Sequence, residues 1–278
     1  MTEDERPIRS RAAFNELGQP IEEDPYGDPA PVKERARFTE SGQALDQEEP
    51  EEEPRHEHAL VCLVRKPRGE AEGALVLFHG RGTDEHDLFP LLEILDPDRR
   101  LLGITPRAPI EHEDGTCYWY LSKEVGHPDA ESFLGVREHV EGFLTLVSED
   151  MGIPPDRIMF GGFSQGAVMA YAMALGAGRP QPPALVALSG FIPTVEGFEI
   201  DLSDRSGLSV AIGHGINDTV IPPKWSREAR QQLENAGADV VYRESRMPHA
   251  VDPRFLYELP DLLYAAVERT SDSAPAET

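Results

Sequence analysis

The chain has 278 residues, with 51 Asp and Glu against 26 Lys and Arg, for a formal net charge of −25. That balance speaks against a nucleic-acid partner, whose phosphates call for a basic face, and against docking on an anionic membrane surface. No apolar run reaches the roughly 18 residues of a spanning helix, no secretory signal is visible at the N-terminus, and two cysteines cannot staple a disulfide scaffold, so the expectation is a cytoplasmic protein without stable membrane anchoring.

Residues 1–57 carry 17 acidic and 7 basic side chains and seven prolines. Such a segment has too little apolar surface to offset its ordering entropy, and it reads as a mostly disordered acidic tail. A docking or autoinhibitory arm is the rival reading. His56 and His58 flank Glu57, a poor arrangement for a metal. From residue 58 the texture changes. Residues 59–65 (ALVCLVR) read as an edge strand. Residues 74–79 (ALVLFH), ended by Gly80, suit a strand buried on both faces. Residues 101–105, 158–163, 185–189, 208–213 and 240–244 repeat the pattern. Between them, Phe133, Val136, Val140, Phe143, Val147 and Met151 recur at helical spacing, and 167–175, 225–236 and 255–267 also read as helices. This alternation predicts an α/β fold, a mostly parallel central sheet of about seven strands with helices on both faces. The expected catalytic domain spans 58–269, with a frayed end at 270–278.

Gly162-Phe163-Ser164-Gln165-Gly166 fits G-x-S-x-G. A predicted strand precedes it and a strong helix follows. That context is a sharp strand–serine–helix turn, in which two glycines let strand and helix approach. The idle alternative is a glycine-rich turn with an ordinary serine. A serine hydroxyl needs a base to become a nucleophile. Only His214 and His249 lie downstream. His249, between a strand and the last predicted helix, is the candidate general base, and Asp218, just past a strand end, the candidate acid. His214, between two glycines, is favoured as a structural hydrogen-bonder. Asp252 follows His249, the wrong order for the acid, and suits a helix cap at Pro253. An oxyanion also needs N–H donors. The N–H of Gln165 is one. The loop His79-Gly80-Arg81-Gly82 offers Arg81 as the second, with Gly82 as rival.

Together LFHGRG (77–82), DRIMFGGFSQGAVMA (156–170), ALSG (187–190), GHGINDTVIP (213–222) and MPHA (247–250) resemble the phospholipase/carboxylesterase family of α/β-hydrolases, which includes acyl-protein thioesterases. The resemblance runs over about 60–269. It implies Ser164 as nucleophile, Asp218 as acid, His249 as base, and Arg81 and Gln165 as oxyanion donors. It implies no metal or organic cofactor, and a small-molecule ester or thioester substrate of modest size. It also implies that Trp119 and Tyr120 line the acyl pocket; plain packing beneath a loop is their alternative. Phe163, Phe191, Val220 and Ile221 neighbour the catalytic loops and would make that pocket apolar. The stretch 106–130 reads as a long loop with a binding role. A serine peptidase, a perhydrolase and a non-catalytic binding module stay open as alternatives, as does a homodimer.

Overall fold

The structure, a computed structural model, describes residues 58–113 and 115–272. The expected acidic tail and residues 273–278 of the expected frayed end lie outside them. The chain opens with β1 (Cys62–Arg65), β2 (Ala74–Phe78), a short helix α1 (Leu92–Leu95) and β3 (Leu102–Pro106). Two small ribbons follow: β4 (Ile110–Glu111) with β5 (Cys117–Tyr118), and β6 (Ser122–Glu124) with β7 (His127–Pro128). Then come α2 (Ala130–Met151), β8 (Ile158–Phe163), α3 (Gln165–Leu175), β9 (Ala184–Leu188) and β10 (Ser209–Gly215). The chain ends with α4 (Pro223–Asn235), β11 (Asp239–Ser245), α5 (Pro253–Leu256) and α6 (Pro260–Asp272).

Seven strands form one sheet in the order β1-β3-β2-β8-β9-β10-β11. Every neighbouring pair is parallel except β1 with β3, so the edge strand alone breaks the direction. Side chains of a strand alternate between faces. Ala74, Val76 and Phe78 of β2 therefore pack with α2 and α3 on one side. Leu75 and Leu77 pack with Leu92 of α1, Phe255 of α5 and Leu263 of α6 on the other. Both faces are covered, which is why the central strands read as unbroken apolar runs. Helix α3 is buried along its whole length and so lacks a polar stripe.

The sheet and its two helical layers agree with the sequence expectation, and the differences lie at the joints. The spacing over 255–267 predicts one helix, but the structure has α5 and α6. Pro260 lacks an N–H and its ring blocks the preceding turn, so the chain restarts there. The stretch read as a long loop holds the two ribbons. Helix α2 begins three residues before its first apolar position because the Asp129 carboxylate accepts the Ser132 N–H at 3.0 Å and caps it.

A buried charge cluster pins the sheet edge to the helices. Arg65 of β1 bonds the Asp96 carboxylate and donates to the Leu92 and Asp96 carbonyls at 2.7 and 3.0 Å. Tyr264 of α6 donates to the other Asp96 oxygen at 2.9 Å. Arg65 and Asp96 are 5% and 0% exposed, so Asp96→Ala strands a buried cation. The expected cost is about 3–5 kcal/mol, seen as a lower urea midpoint at unchanged m-value. The apolar pair Arg65→Met with Asp96→Leu should recover only part of it, because the Arg100 and Leu101 N–H groups and the Tyr264 hydroxyl lose their Asp96 acceptor.

Candidate active site

Four strand ends meet at the carboxyl edge of the sheet, where open α/β sheets place their sites. Strand β2 runs into His79-Gly80-Arg81-Gly82 and β8 into Ser164. Strands β10 and β11 run into the loops that hold Asp218 and His249.

Ser164 has φ 56° and ψ −120°, a conformation costing an L residue of order 1–3 kcal/mol. Packing enforces it. A Cβ on Gly162 would stand 2.4 Å from the Gly166 carbonyl. One on Gly166 would stand 2.0 Å from the Phe78 carbonyl oxygen and 2.4 Å from that of His79. Strands β2 and β8 and helix α3 reach backbone contact because both positions are glycine.

Ser164 Oγ lies 2.8 Å from His249 Nε2, and His249 Nδ1 lies 2.7 Å from Asp218 Oδ2. The Phe163 ring tilts against the imidazole at 4.7 Å between centroids and limits its rotation. Asp218 Oδ1 accepts the N–H groups of Val220 and Ile221, each at 2.8 Å. Burial alone would raise the Asp218 carboxyl. The hydrogen bonds from His249, Ile221 and Val220 outweigh it and hold the group below its ordinary value. The carboxylate therefore stays ionised at neutral pH and keeps a proton on His249 Nδ1. Nε2 is left free to accept one from Ser164.

His214 is wholly buried. Its Nε2 faces two acceptors, the Ile221 carbonyl at 2.9 Å and Asp218 Oδ2 at 3.2 Å, so that nitrogen carries the proton. Burial pushes the imidazole below its ordinary value and keeps it neutral, against the pull of the Ile221 carbonyl and Asp218. Nδ1 is then bare and accepts from the Ser226 hydroxyl, whose approach to the Gly190 carbonyl is longer, at 3.3 Å. His214 is a structural hydrogen-bonder, as the sequence suggests, and its Nε2 bonds the Ile221 carbonyl while lying 3.2 Å from the carboxylate that also holds His249. Asp252 caps α5 through the Arg254 N–H at 3.0 Å and accepts the Ser245 hydroxyl at 2.5 Å, so it is engaged elsewhere.

The rivalry between Arg81 and Gly82 is decided by a hydrogen bond. Gly82 N–H donates to the Cys117 carbonyl at 2.9 Å. The main-chain N–H groups of Arg81 and Gln165 have no acceptor among the described residues and are available to a ligand oxygen. The loop under Arg81 is braced from below. His79 Nε2 accepts the Ala108 N–H at 3.0 Å, its Nδ1 donates to the Gly80 carbonyl at 2.8 Å, and its own carbonyl accepts Trp119 Nε1 at 2.9 Å.

Sequence reasoning missed the Gln165 side chain. Its Oε1 accepts the Trp119 N–H at 2.8 Å and its Nε2 donates to the Tyr120 carbonyl at 2.7 Å. The residue after the serine thus grips the backbone of a segment 45 positions earlier. A glutamine inside an otherwise apolar helix start was the available signal, since a buried amide needs partners.

The six residues expected to bind substrate separate in the structure. Tyr120 lines a cavity of about 920 Å³ with Arg81, Tyr118, Leu121 and His127. Phe191 lines a smaller one of about 420 Å³, beside Trp225. Trp119 lines neither of these two cavities: it is fully buried, edge-on to Phe78, and its indole N–H is spent on the His79 carbonyl. Ile221 is also a core residue, while Val220 beside it is 48% exposed and Phe163 supports the imidazole. Asp84, Glu85 and His86 are the one group of clustered ligand-type side chains among the described residues. Glu85 is already held by Arg107 through two bonds, at 2.5 and 2.9 Å, and nothing connects the group to Ser164.

A family model described as phospholipase/carboxylesterase matches residues 60–267. The chain is 28% identical to MhqD of Bacillus subtilis over 171 residues, covering 62% of this chain and 82% of that protein. It is 26% identical to acyl-protein thioesterase 1 of Debaryomyces hansenii over 194 residues, with coverages of 64% and 82%. The fold matches the Bacillus cereus carboxylesterase with a TM-score of 0.66 at 23% identity, over 74% of this chain and 94% of that one.

Gln165→Leu keeps the size of the side chain and removes its grip on residues 119 and 120. Two buried main-chain groups lose their partners, at about 1–3 kcal/mol each. The expected result is a loss of stability and faster proteolysis within 106–130, read by limited digestion of the native protein.

Proposed function

Because the chain belongs to the phospholipase/carboxylesterase family of α/β-hydrolases, we propose that it is a serine carboxylic-ester hydrolase acting on short or medium acyl esters or thioesters. The observation that carries this reading is the unbroken row from Ser164 Oγ through His249 to Asp218, beside two unpaired N–H groups. In the proposed cycle Ser164 Oγ attacks the ester carbonyl while His249 Nε2 takes its proton. The N–H groups of Arg81 and Gln165 hold the oxyanion. His249 then returns the proton to the departing alcohol or thiol. A water, deprotonated by the same nitrogen, attacks the acyl group on Ser164; His249 then gives that proton to Ser164 Oγ as the acyl–oxygen bond breaks and the acid leaves. Asp218 stabilises the imidazolium in both halves.

Other features fit. The relatives named acyl-protein thioesterase support a thioester beside an ester as the substrate. The proposed partner is a small molecule. Among the described residues no helix is long and apolar enough to cross a membrane. Cys62 and Cys117 are both free thiols, as expected of a reducing cytoplasm.

A fluorophosphonate probe should label the native protein at Ser164, and Ser164→Ala should abolish both labelling and hydrolysis of p-nitrophenyl acyl esters. Absence of labelling would support a binding module instead. Asp218→Asn removes the acceptor that fixes the His249 tautomer. It is expected to lower kcat by about 10⁴-fold with little change in KM, measured on the same esters.

A further inference from the structure

We infer that the Arg81 guanidinium and the Tyr120 hydroxyl form an anion-recognising subsite beside the oxyanion donors, so that the preferred substrates carry a carboxylate a few bonds from the scissile carbonyl. This deepens the esterase reading and rests on it. Arg81 is placed to do two things. Its main-chain N–H has no acceptor among the described residues, and its side chain lines the cavity of about 920 Å³.

The guanidinium is exposed and has no carboxylate partner among the described residues. It sits over the Tyr118 ring at 5.2 Å from the centroid, and the Tyr118 hydroxyl is in turn bonded to Thr116 at 3.0 Å. Most described arginines are within ion-pair distance of a carboxylate. Arg81 is not, in a chain with about two acids for every base. Glu111, Glu124, Asp129 and Glu131 line the same cavity and leave it unpaired.

Tyr120 supplies the second donor. It lines the cavity, and its hydroxyl has no partner among the described residues. Burial raises the phenol far above its ordinary value, although the nearby Arg81 charge opposes the rise, so the O–H remains a donor. The Gln165 grip on the Tyr120 carbonyl fixes this residue relative to Ser164. A substrate carboxylate between the two would receive a charge-assisted bond from the planar guanidinium and a neutral one from the phenol. Lys123, also on the cavity wall, adds positive charge, while the four carboxylates oppose an anion there. Selection therefore comes from contact with Arg81, and it favours a carboxylate at one reach over a chain of any length.

The test compares three methyl esters: monomethyl glutarate as the anion, methyl pentanoate as the neutral analogue, and methyl γ-(trimethylammonio)butyrate as the cation. Methanol release gives kcat/KM. The expected anion-to-neutral ratio is about tenfold or more for the native protein, the discrimination of one charge-assisted hydrogen bond. Because all three esters share one oxyanion step, the ratio isolates the subsite from any general change in turnover. In Arg81→Gln, which keeps a main-chain N–H, the ratio should fall to about one. In Arg81→Glu the cation should overtake the anion. Tyr120→Phe should lower the ratio a few-fold. Neutral or cationic esters turned over as well as the anion, or a ratio untouched by Arg81→Gln, would overturn the inference and leave the esterase reading intact. Calorimetry of monomethyl glutarate with the Ser164→Ala protein separates the opposite case. Arg81-dependent binding with no turnover of any ester by the native protein would keep the subsite and overturn the esterase reading.

Discussion

Everything at the carboxyl edge of the sheet depends on three backbones touching. The Phe78 and His79 carbonyls leave no room for a Cβ on Gly166, and the Gly166 carbonyl leaves none for one on Gly162. That contact holds Ser164 at φ 56°, a conformation no isolated serine would keep. It also sets where two other groups can be. The Gln165 N–H is freed because it opens α3, and the Arg81 N–H arrives because β2 ends against that same turn. The geometry proposed for catalysis is thus a by-product of close packing, with the strain at one residue offset by the burial of α3 and the central strands.

Around that point most polar groups are satisfied by the protein itself, the buried Ser189 hydroxyl being an exception. Asp218 takes three N–H donors, two from its own loop and one from His249. His214, kept neutral by burial, lies 3.2 Å away without adding a charge, so the carboxylate keeps its negative field for the imidazolium that the proposed cycle creates. Cross-bonds from Ile216 N–H to Ser245 and from Asn217 N–H to Met247 tie the Asp218 loop to the His249 loop. Against this background the unbonded N–H groups of Arg81 and Gln165, the unpaired guanidinium and the free Tyr120 hydroxyl stand out by contrast.

The segment between β3 and α2 shows how distant sequence is recruited. Its ribbons are too short to be stable alone. They are held by Gln165 from the helix after the serine and by the His79 carbonyl under Trp119. A change in α3 is therefore transmitted to the cavity wall without altering the proposed nucleophile.

The strands and most helices were legible because their signal is local. Unbroken apolar runs, helical spacing and a proline or cap residue each act within a few positions, as Asp129 and Asp252 illustrate. G-x-S-x-G was legible because the turn it describes is a steric requirement carried by neighbours in the chain. The order of Ser164, Asp218 and His249 was legible from their places after predicted strands and from the family resemblance. The tertiary structure alone decided which N–H of Arg81 and Gly82 is free, because the answer depends on a carbonyl 35 residues away at Cys117. It alone buried Trp119 and exposed Val220, and put the proton of His214 on Nε2. It alone turned the Gln165 side chain into a clamp. These depend on which hydrogen-bonding groups distant loops present to one another, and no spacing within a segment encodes that.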